Sequence, residues 1–146
     1  MTQRQDAETL FAQAAACSRQ GDTEAELRIY DTIVRHYAGD GPAVHHALKA
    51  LVNKGVVLAG CGRTQDALAA FDEVACRAAD APDPACMERA AIALVNKAVV
   101  LSQQRETAAA LDAYAAVVTR YGGVGLPGVA AQVAKAQFNR GVSYHF

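Results

Sequence analysis

Cysteine and histidine are the side chains of this 146-residue protein best suited to bind a metal or to act as nucleophiles. The cysteines lie 44, 15 and 10 residues apart, at Cys17, Cys61, Cys76 and Cys86. None forms a Cys-x-x-Cys pair, and no histidine is placed to complete a zinc site. His45 and His46 are adjacent, so on a helix they would point about 100° apart and could not chelate one metal. We therefore expect free thiols that are buried or half-buried, structural histidines, and neither metal nor cofactor.

A glycine pattern near the C-terminus is a second candidate for a ligand site. Residues Gly123 to Gly128 read GVGLPG and fit Gly-x-Gly-x-x-Gly, which in dinucleotide-binding folds turns a helix N-terminus towards a pyrophosphate. Here the pattern follows a helical segment rather than a strand, and Pro127 would begin the next helix. A linker is the simpler interpretation, although an anion could settle at that helix start. Because no Ser-His-Asp or Cys-His arrangement is evident either, we predict that the chain is not an enzyme.

Three asparagines are spaced by 43 residues, at Asn53, Asn96 and Asn139. The segment ALVNKGVVL at 50–58 returns as ALVNKAVVL at 93–101 and as AQFNRGVSY at 136–144. An amide both donates and accepts hydrogen bonds, so one asparagine per unit could pair with successive backbone groups of a bound peptide. The alternative is that each amide bonds within its own helix pair. The sequence leaves both interpretations open.

The repeated segments must be helices, because their apolar residues recur with helical spacing. A second block in each unit aligns Tyr30, Phe71 and Tyr114 in one column. The prolines lie between the periodic segments, and we predict Thr23, Thr64 and Thr107 as N-caps, with Thr23 and Glu26 forming a capping box. The predicted helices cover about 5–20, 23–38, 42–60, 64–79, 84–103, 107–121 and 127–145.

The unit resembles a tetratricopeptide repeat, in a variant with 43 residues instead of about 34. The resemblance rests on a bulky, a small and a bulky residue followed by a turn glycine, which here are Leu51, Gly55, Leu58 and Gly62. The small column continues as Ala14, Gly55, Ala98 and Gly141, and allows two helices to approach closely. The resemblance implies an all-α fold of about seven helices, a right-handed superhelical stack of antiparallel pairs (an α-solenoid). The units would be about 5–40, 42–81 and 84–123, with a lone helix at 127–145.

The same resemblance implies a concave groove, formed by the first helix of each unit, that binds a peptide or a helical segment. Its residues would be Phe11, Lys49, Val52, Asn53, Val56, Ile92, Val95, Asn96, Val99, Lys135, Phe138, Asn139 and Val142. Lys49 and Lys135 are partly similar to the carboxylate clamp of some family members, but a solvated charge is the favoured interpretation. Lys54, Lys97 and Arg140 stand in a column that is usually apolar, and we expect their charged groups to reach water.

Composition excludes several classes of function. The formal net charge of −1 argues against nucleic acid and against anionic membranes as partners. The N-terminus lacks a signal peptide and no apolar run reaches 18 residues, so we expect a cytoplasmic protein. Its richness in Ala and Arg is typical of a GC-rich bacterial gene.

The predicted function is that of a scaffold or adaptor which binds protein or peptide. One alternative is a self-assembling structural domain, and another is a segment of a larger regulatory protein. RNA binding by helical repeats would require a basic concave face. The last helix lacks a partner helix in this sequence. It could cap the stack, continue into further chain, or dock against another chain, including a second copy, through Phe138, Tyr144 and Phe146.

Overall fold

Seven helices and no strand make up the residues that the computed structural model describes, which are 6–39, 43–79 and 83–143 with side chains as far as Gly141. The helices are α1 (Ala7–Arg19), α2 (Thr23–His36), α3 (Val44–Gly60), α4 (Thr64–Ala78), α5 (Pro84–Gln103), α6 (Thr107–Tyr121) and α7 (Pro127–Ser143). The all-α fold is confirmed, and each helix lies where its apolar periodicity predicts it. Pro84 and Pro127 are first helical residues, a position at which proline loses no hydrogen bond.

The prediction of threonine N-caps was wrong by one residue. Thr23, Thr64 and Thr107 are each the first residue of their helix. The residue before Thr23, Asp22, caps α2, because its carboxylate accepts a hydrogen bond from the Ala25 amide at 3.2 Å. The predicted capping box is also absent, because Glu26 is only 5% exposed and accepts a hydrogen bond from the Tyr30 hydroxyl at 2.8 Å instead.

The turn inside each helix pair requires a left-handed residue. Gly21, Gly62 and Arg105 occupy equivalent places and have φ angles of 75°, 79° and 62°. Glycine adopts this conformation without steric cost, whereas a side chain adds strain of about 1 kcal/mol. The third turn therefore keeps the geometry of the first two although arginine has replaced glycine.

Each helix packs against the next one in sequence, and α5 also contacts α3 and α7. The core of each pair lies where an aromatic ring of the second helix meets a small residue of the first. Phe71 is 1% exposed, and a Cβ built on Gly55 would lie 2.7 Å from its Cζ atom. Tyr114 and Ala98 likewise share one apolar cluster. The predicted role of the small column is thus observed in these pairs.

Two lysine–aspartate ion pairs join successive units. Lys54 Nζ on α3 lies 2.8 Å from Asp31 Oδ1 on α2, and Lys97 Nζ on α5 lies 2.6 Å from Asp72 Oδ1 on α4. Both lysine side chains are still 30% exposed, as expected of groups that reach water, but the sequence did not indicate their carboxylate partners. Because the four side chains remain partly exposed, each pair stabilises the fold by about 1 kcal/mol or less. No described helix combines the length and apolar character that crossing a membrane requires.

Candidate functional site

An apolar strip runs along the first helices and is exposed at two of its residues. Val56 on α3 is 51% exposed and Phe138 on α7 is 71% exposed, and these are the exposed large hydrophobic side chains of the described residues. Val99 on α5 is half-buried. Val56, Asn96 and Val99 line an open cavity of about 250 Å³, whose other walls include Phe71 and Gln103. The structure thus brings three of the predicted groove residues together around one space.

Two other predicted groove residues belong to the core. Val52 is 4% exposed and Val95 is 1% exposed, and each packs in an apolar cluster with the helices that follow. Their inclusion in the groove was wrong, because burial leaves them no surface for a ligand. Ile92 is half-buried and packs against the cluster that contains Val52. The side chain of Val142 lies outside the described residues, as do Tyr144 and Phe146.

The three asparagines are all half-buried, but they have different neighbours. A hydrogen bond from the Asn53 amide reaches the Tyr30 oxygen on α2. A hydrogen bond from the Asn139 amide reaches the Tyr114 oxygen on α6 in the same way. The aromatic residue in this column of α4 is Phe71, which has no hydroxyl, and Asn96 lines the cavity beside it. Asn53 and Asn139 thus connect their helices to the preceding helix pair, while Asn96 faces the cavity.

Tyr30 and Glu26 form a buried hydrogen-bonded pair that the sequence did not indicate. Burial and then its hydrogen bond to Glu26 raise the pKa of Tyr30 strongly, and the hydrogen bond from Asn53 acts in the opposite direction. Glu26 falls in the column of Ala67 and Ala110, both of which are fully buried. Because small residues occupy this column in the other units, the alignment could have indicated that the Glu26 side chain points inward.

Phe11 and Lys49 are half-buried and contact each other at the N-terminal end of the strip. Lys49 Nζ lies 4.5 Å from the centre of the Phe11 ring, within the range of a cation–π interaction. The Phe11 ring also lies 6.5 Å from that of Tyr30. Lys135, by contrast, is exposed on α7. The two lysines that are partly similar to a carboxylate clamp therefore differ, because only Lys49 is held by an aromatic ring.

The rings of His45 and His46 lie closer together than we expected for adjacent helical residues that point about 100° apart. Their ring centres are 4.1 Å apart, and the His46 ring lies 5.1 Å from that of Tyr37 on α2. Among the described residues, no group of three or more His, Cys, Asp and Glu side chains is placed to hold a metal ion. The pKa of His46 is lowered, first by burial and then by the neighbouring His45 and Lys49.

This lowered pKa predicts a fold that weakens in acid. In the unfolded chain His46 has a pKa of about 6.5, so below that pH the unfolded state binds a proton more readily than the folded state. The stabilising contribution is present above about pH 6.5 and is lost as the pH falls through the folded pKa. Urea unfolding at pH 7, 6 and 5 should show a decline for the wild type and a shallower one for His46→Gln. The exposed His36, changed to Gln, is the control. An equally steep decline in His46→Gln would refute the assignment.

A second cavity, of about 510 Å³, lies between α2, α3 and α4. Leu27, Leu51 and Leu58 line it together with charged residues of both signs. Most of these charges already face each other: Lys54 pairs with Asp31, and Arg63 lies 3.5 Å from Glu24 and 3.4 Å from Asp66. This cavity is larger, but most of its charged side chains already pair with each other and are not free to pair with a ligand.

The glycine pattern at 123–128 forms a connection and the start of α7, as the linker interpretation predicts. A Cβ at Gly128 would meet the carboxylate of Glu88 on α5. The Glu88 carboxylate thus already lies at the positive end of α7, the place where an external anion could have settled. The thiols also differ in part from expectation: Cys86 is buried and Cys17 is half-buried, but Cys61 and Cys76 are exposed.

No protein-family model, no curated protein and no solved structure matches this chain.

Proposed function

We propose that this protein is a tetratricopeptide-like α-solenoid, a right-handed superhelical stack of antiparallel helix pairs, that serves as a non-catalytic protein-interaction module. A peptide or helical segment of another protein would lie along the strip formed by Val56, Asn96, Val99 and Phe138. The repeated columns of small and aromatic residues, and the packing of α5 on both α3 and α7, support this architecture.

The observation that carries the proposal is the exposure of Val56 beside an open, partly apolar cavity. A half-exposed valine is unremarkable alone. Here Val56, Val99 and the amide of Asn96 surround one space of about 250 Å³ between the ends of α3 and α5. This combination of apolar walls and one polar group is typical of sites that bury an apolar side chain and fix the adjacent backbone.

The test is a selection of binding peptides from a displayed random library against the 146-residue chain. Val56→Glu should weaken the selected peptides at least about tenfold, because binding would bury the new charge. Ala108→Glu, on the exposed side of α6, is the matched control and should bind like the wild type. Both positions are exposed, so both variants should keep their stability within about 0.5 kcal/mol. Peptides that bind Val56→Glu as tightly as the wild type would contradict the proposal.

The asparagines give a finer prediction. Asn96→Ala should weaken the same peptides, whereas Asn53→Ala should mainly lower the free energy of unfolding, by about 1–2 kcal/mol, because it removes a buried partner of Tyr30. Titration of both variants with one selected peptide, together with urea unfolding, separates the two effects. The opposite pattern would mean that the ligand lies nearer to α2 than we propose.

A further inference from the structure

The aromatic residue that accompanies the asparagine of each repeat differs between the units. In two units it is a tyrosine, and the asparagine amide donates a hydrogen bond to the tyrosine oxygen. Asn53 donates to Tyr30 in this way, and Asn139 donates to Tyr114. In the unit between them the equivalent residue is Phe71, whose ring has no oxygen. The acceptor that the repeat elsewhere provides for its asparagine is therefore missing in this unit.

Asn96 is the asparagine of that unit. It is half-buried, and its side chain forms no hydrogen bond within the described part of the chain. Together with Phe71 it lines the cavity of about 250 Å³. An amide N–H that is partly removed from water and has no acceptor is a net cost to the fold, and a ligand oxygen would remove that cost. Asn96 thus gives the cavity a hydrogen-bond donor whose counterparts in the other two units are already used.

The walls of the cavity limit the chemistry of a ligand. None of the described residues that line it is charged: they are valine, alanine, glycine and phenylalanine residues with two amides, Asn96 and Gln103. A charged group placed there would lose hydration without gaining a counterion, so the walls favour an uncharged group. The volume is below the roughly 300–1,000 Å³ of sites that enclose a whole small molecule. It therefore suits one apolar side chain of a longer ligand.

The unused donor also indicates the conformation of that ligand. A backbone carbonyl inside a helix already accepts a hydrogen bond from the amide four residues later, so a helix has little to gain from Asn96. The carbonyls of an extended segment have no such partner and require a donor when they leave water. An extended segment can place one carbonyl at the Asn96 amide and the adjacent side chain in the cavity.

We propose that Phe71 determines the specificity of this cavity: because it lacks a hydroxyl, the Asn96 amide is free to donate to a backbone carbonyl of an extended peptide segment, whose adjacent uncharged apolar side chain fills the cavity. This inference rests on the interaction module proposed above, and narrows its ligand from a peptide or helix to an extended segment. The other two units do not provide this contact, since Tyr30 and Tyr114 already accept from their asparagines.

Restoring the hydroxyl tests the inference without a ligand. Phe71→Tyr should give a higher urea midpoint of unfolding, relative to its parent, in the wild-type chain than in an Asn96→Ala background, because only the amide gives the new hydroxyl a partner. The two remaining tyrosines of the column show that the repeat accommodates this ring. Equal shifts in the two backgrounds would mean that the Asn96 amide does not reach residue 71, and would overturn the inference.

Peptides selected from the displayed library against the wild-type chain provide the second test. Phe71→Tyr and Asn96→Ala should each weaken such a peptide about three- to tenfold in fluorescence anisotropy. The double variant should bind no more weakly than either single variant, because both changes remove the same hydrogen bond. A further loss in the double variant would mean that the hydroxyl only obstructs the cavity, which contradicts the role assigned to Phe71.

A thioamide scan of one selected peptide locates the carbonyl, since sulfur is the weaker acceptor. One position should lose affinity for the wild type but not for Asn96→Ala. Aspartate and lysine at the adjacent apolar residue should each weaken binding at least about tenfold. If no such position exists, or if the bound peptide is helical by NMR, the inference is wrong, whereas the interaction module still holds as long as Val56→Glu weakens the peptide. Peptides that are indifferent to Val56→Glu would overturn both.

Discussion

Replacing Phe71 by alanine should lower the free energy of unfolding by about 3–5 kcal/mol. The ring is 1% exposed and fills the space above Gly55, between α3 and α4. Truncation removes its apolar contacts and leaves a void that the two helices cannot close without shifting the adjacent pairs. For a chain of this length the midpoint of thermal unfolding should fall by about 10–16 °C.

Urea unfolding followed by circular dichroism measures this effect. Phe138→Ala is the matched control: it makes the same change on a ring that is 71% exposed, and should alter stability by less than about 0.5 kcal/mol. If Phe71→Ala costs less than about 1 kcal/mol, the Phe71 ring is not part of the core and the packing described above is wrong.

Enlarging Gly55 to leucine should destabilise the fold by about 3 kcal/mol or more, because the new side chain would overlap the Phe71 ring. The Cβ alone would lie 2.7 Å from Cζ and 2.9 Å from Cδ1 of that ring. Phe71 packs with Leu58, Val74 and other buried residues in one cluster, so displacing the ring would disrupt that packing.

Gly141→Leu is the control for this change, since it makes the same substitution in the same column. Within the described residues nothing lies within 4 Å of a Cβ at Gly141, and leucine is the better helix former by up to about 1 kcal/mol. Gly141→Leu should therefore be neutral or slightly stabilising in the same unfolding experiment. Similar losses at both positions would mean that glycine is needed for the backbone rather than for the approach of the ring.

Sequence reasoning succeeded where repetition made three copies of one environment visible. The seven helices and the pairing of Phe71 with Gly55 follow from columns of equivalent residues. It failed where the outcome depends on how far each helix is rotated about its axis. Val52 and Val56 are one turn apart, but the first is buried and the second is exposed. Periodicity alone does not show at which residue the buried core ends and the exposed strip begins.

Polar contacts between helices were the other source of error. The spacing of Thr23 and Glu26 matches a capping box. The N-cap residue of α2 is nevertheless Asp22, whose carboxylate accepts a hydrogen bond from the Ala25 amide. The pairs of Lys54 with Asp31 and of Lys97 with Asp72 join residues 23 and 25 positions apart. A pattern read along one helix gives no information on such contacts, although the coincidence of a lysine column with an aspartate column was a usable signal.

The packing of helices on their sequence neighbours bears on how this protein can change in length. No substantial contact joins described helices more than two apart, so no step of assembly has to bring distant parts of the chain together. Duplicating one 43-residue segment would add a helix pair that meets its neighbours through surfaces already in use. The near identity of 50–58 and 93–101 is what a duplication of this kind leaves behind. This architecture can therefore lengthen by duplication of a segment. A fold whose two ends contact each other would lose those contacts if a segment were inserted.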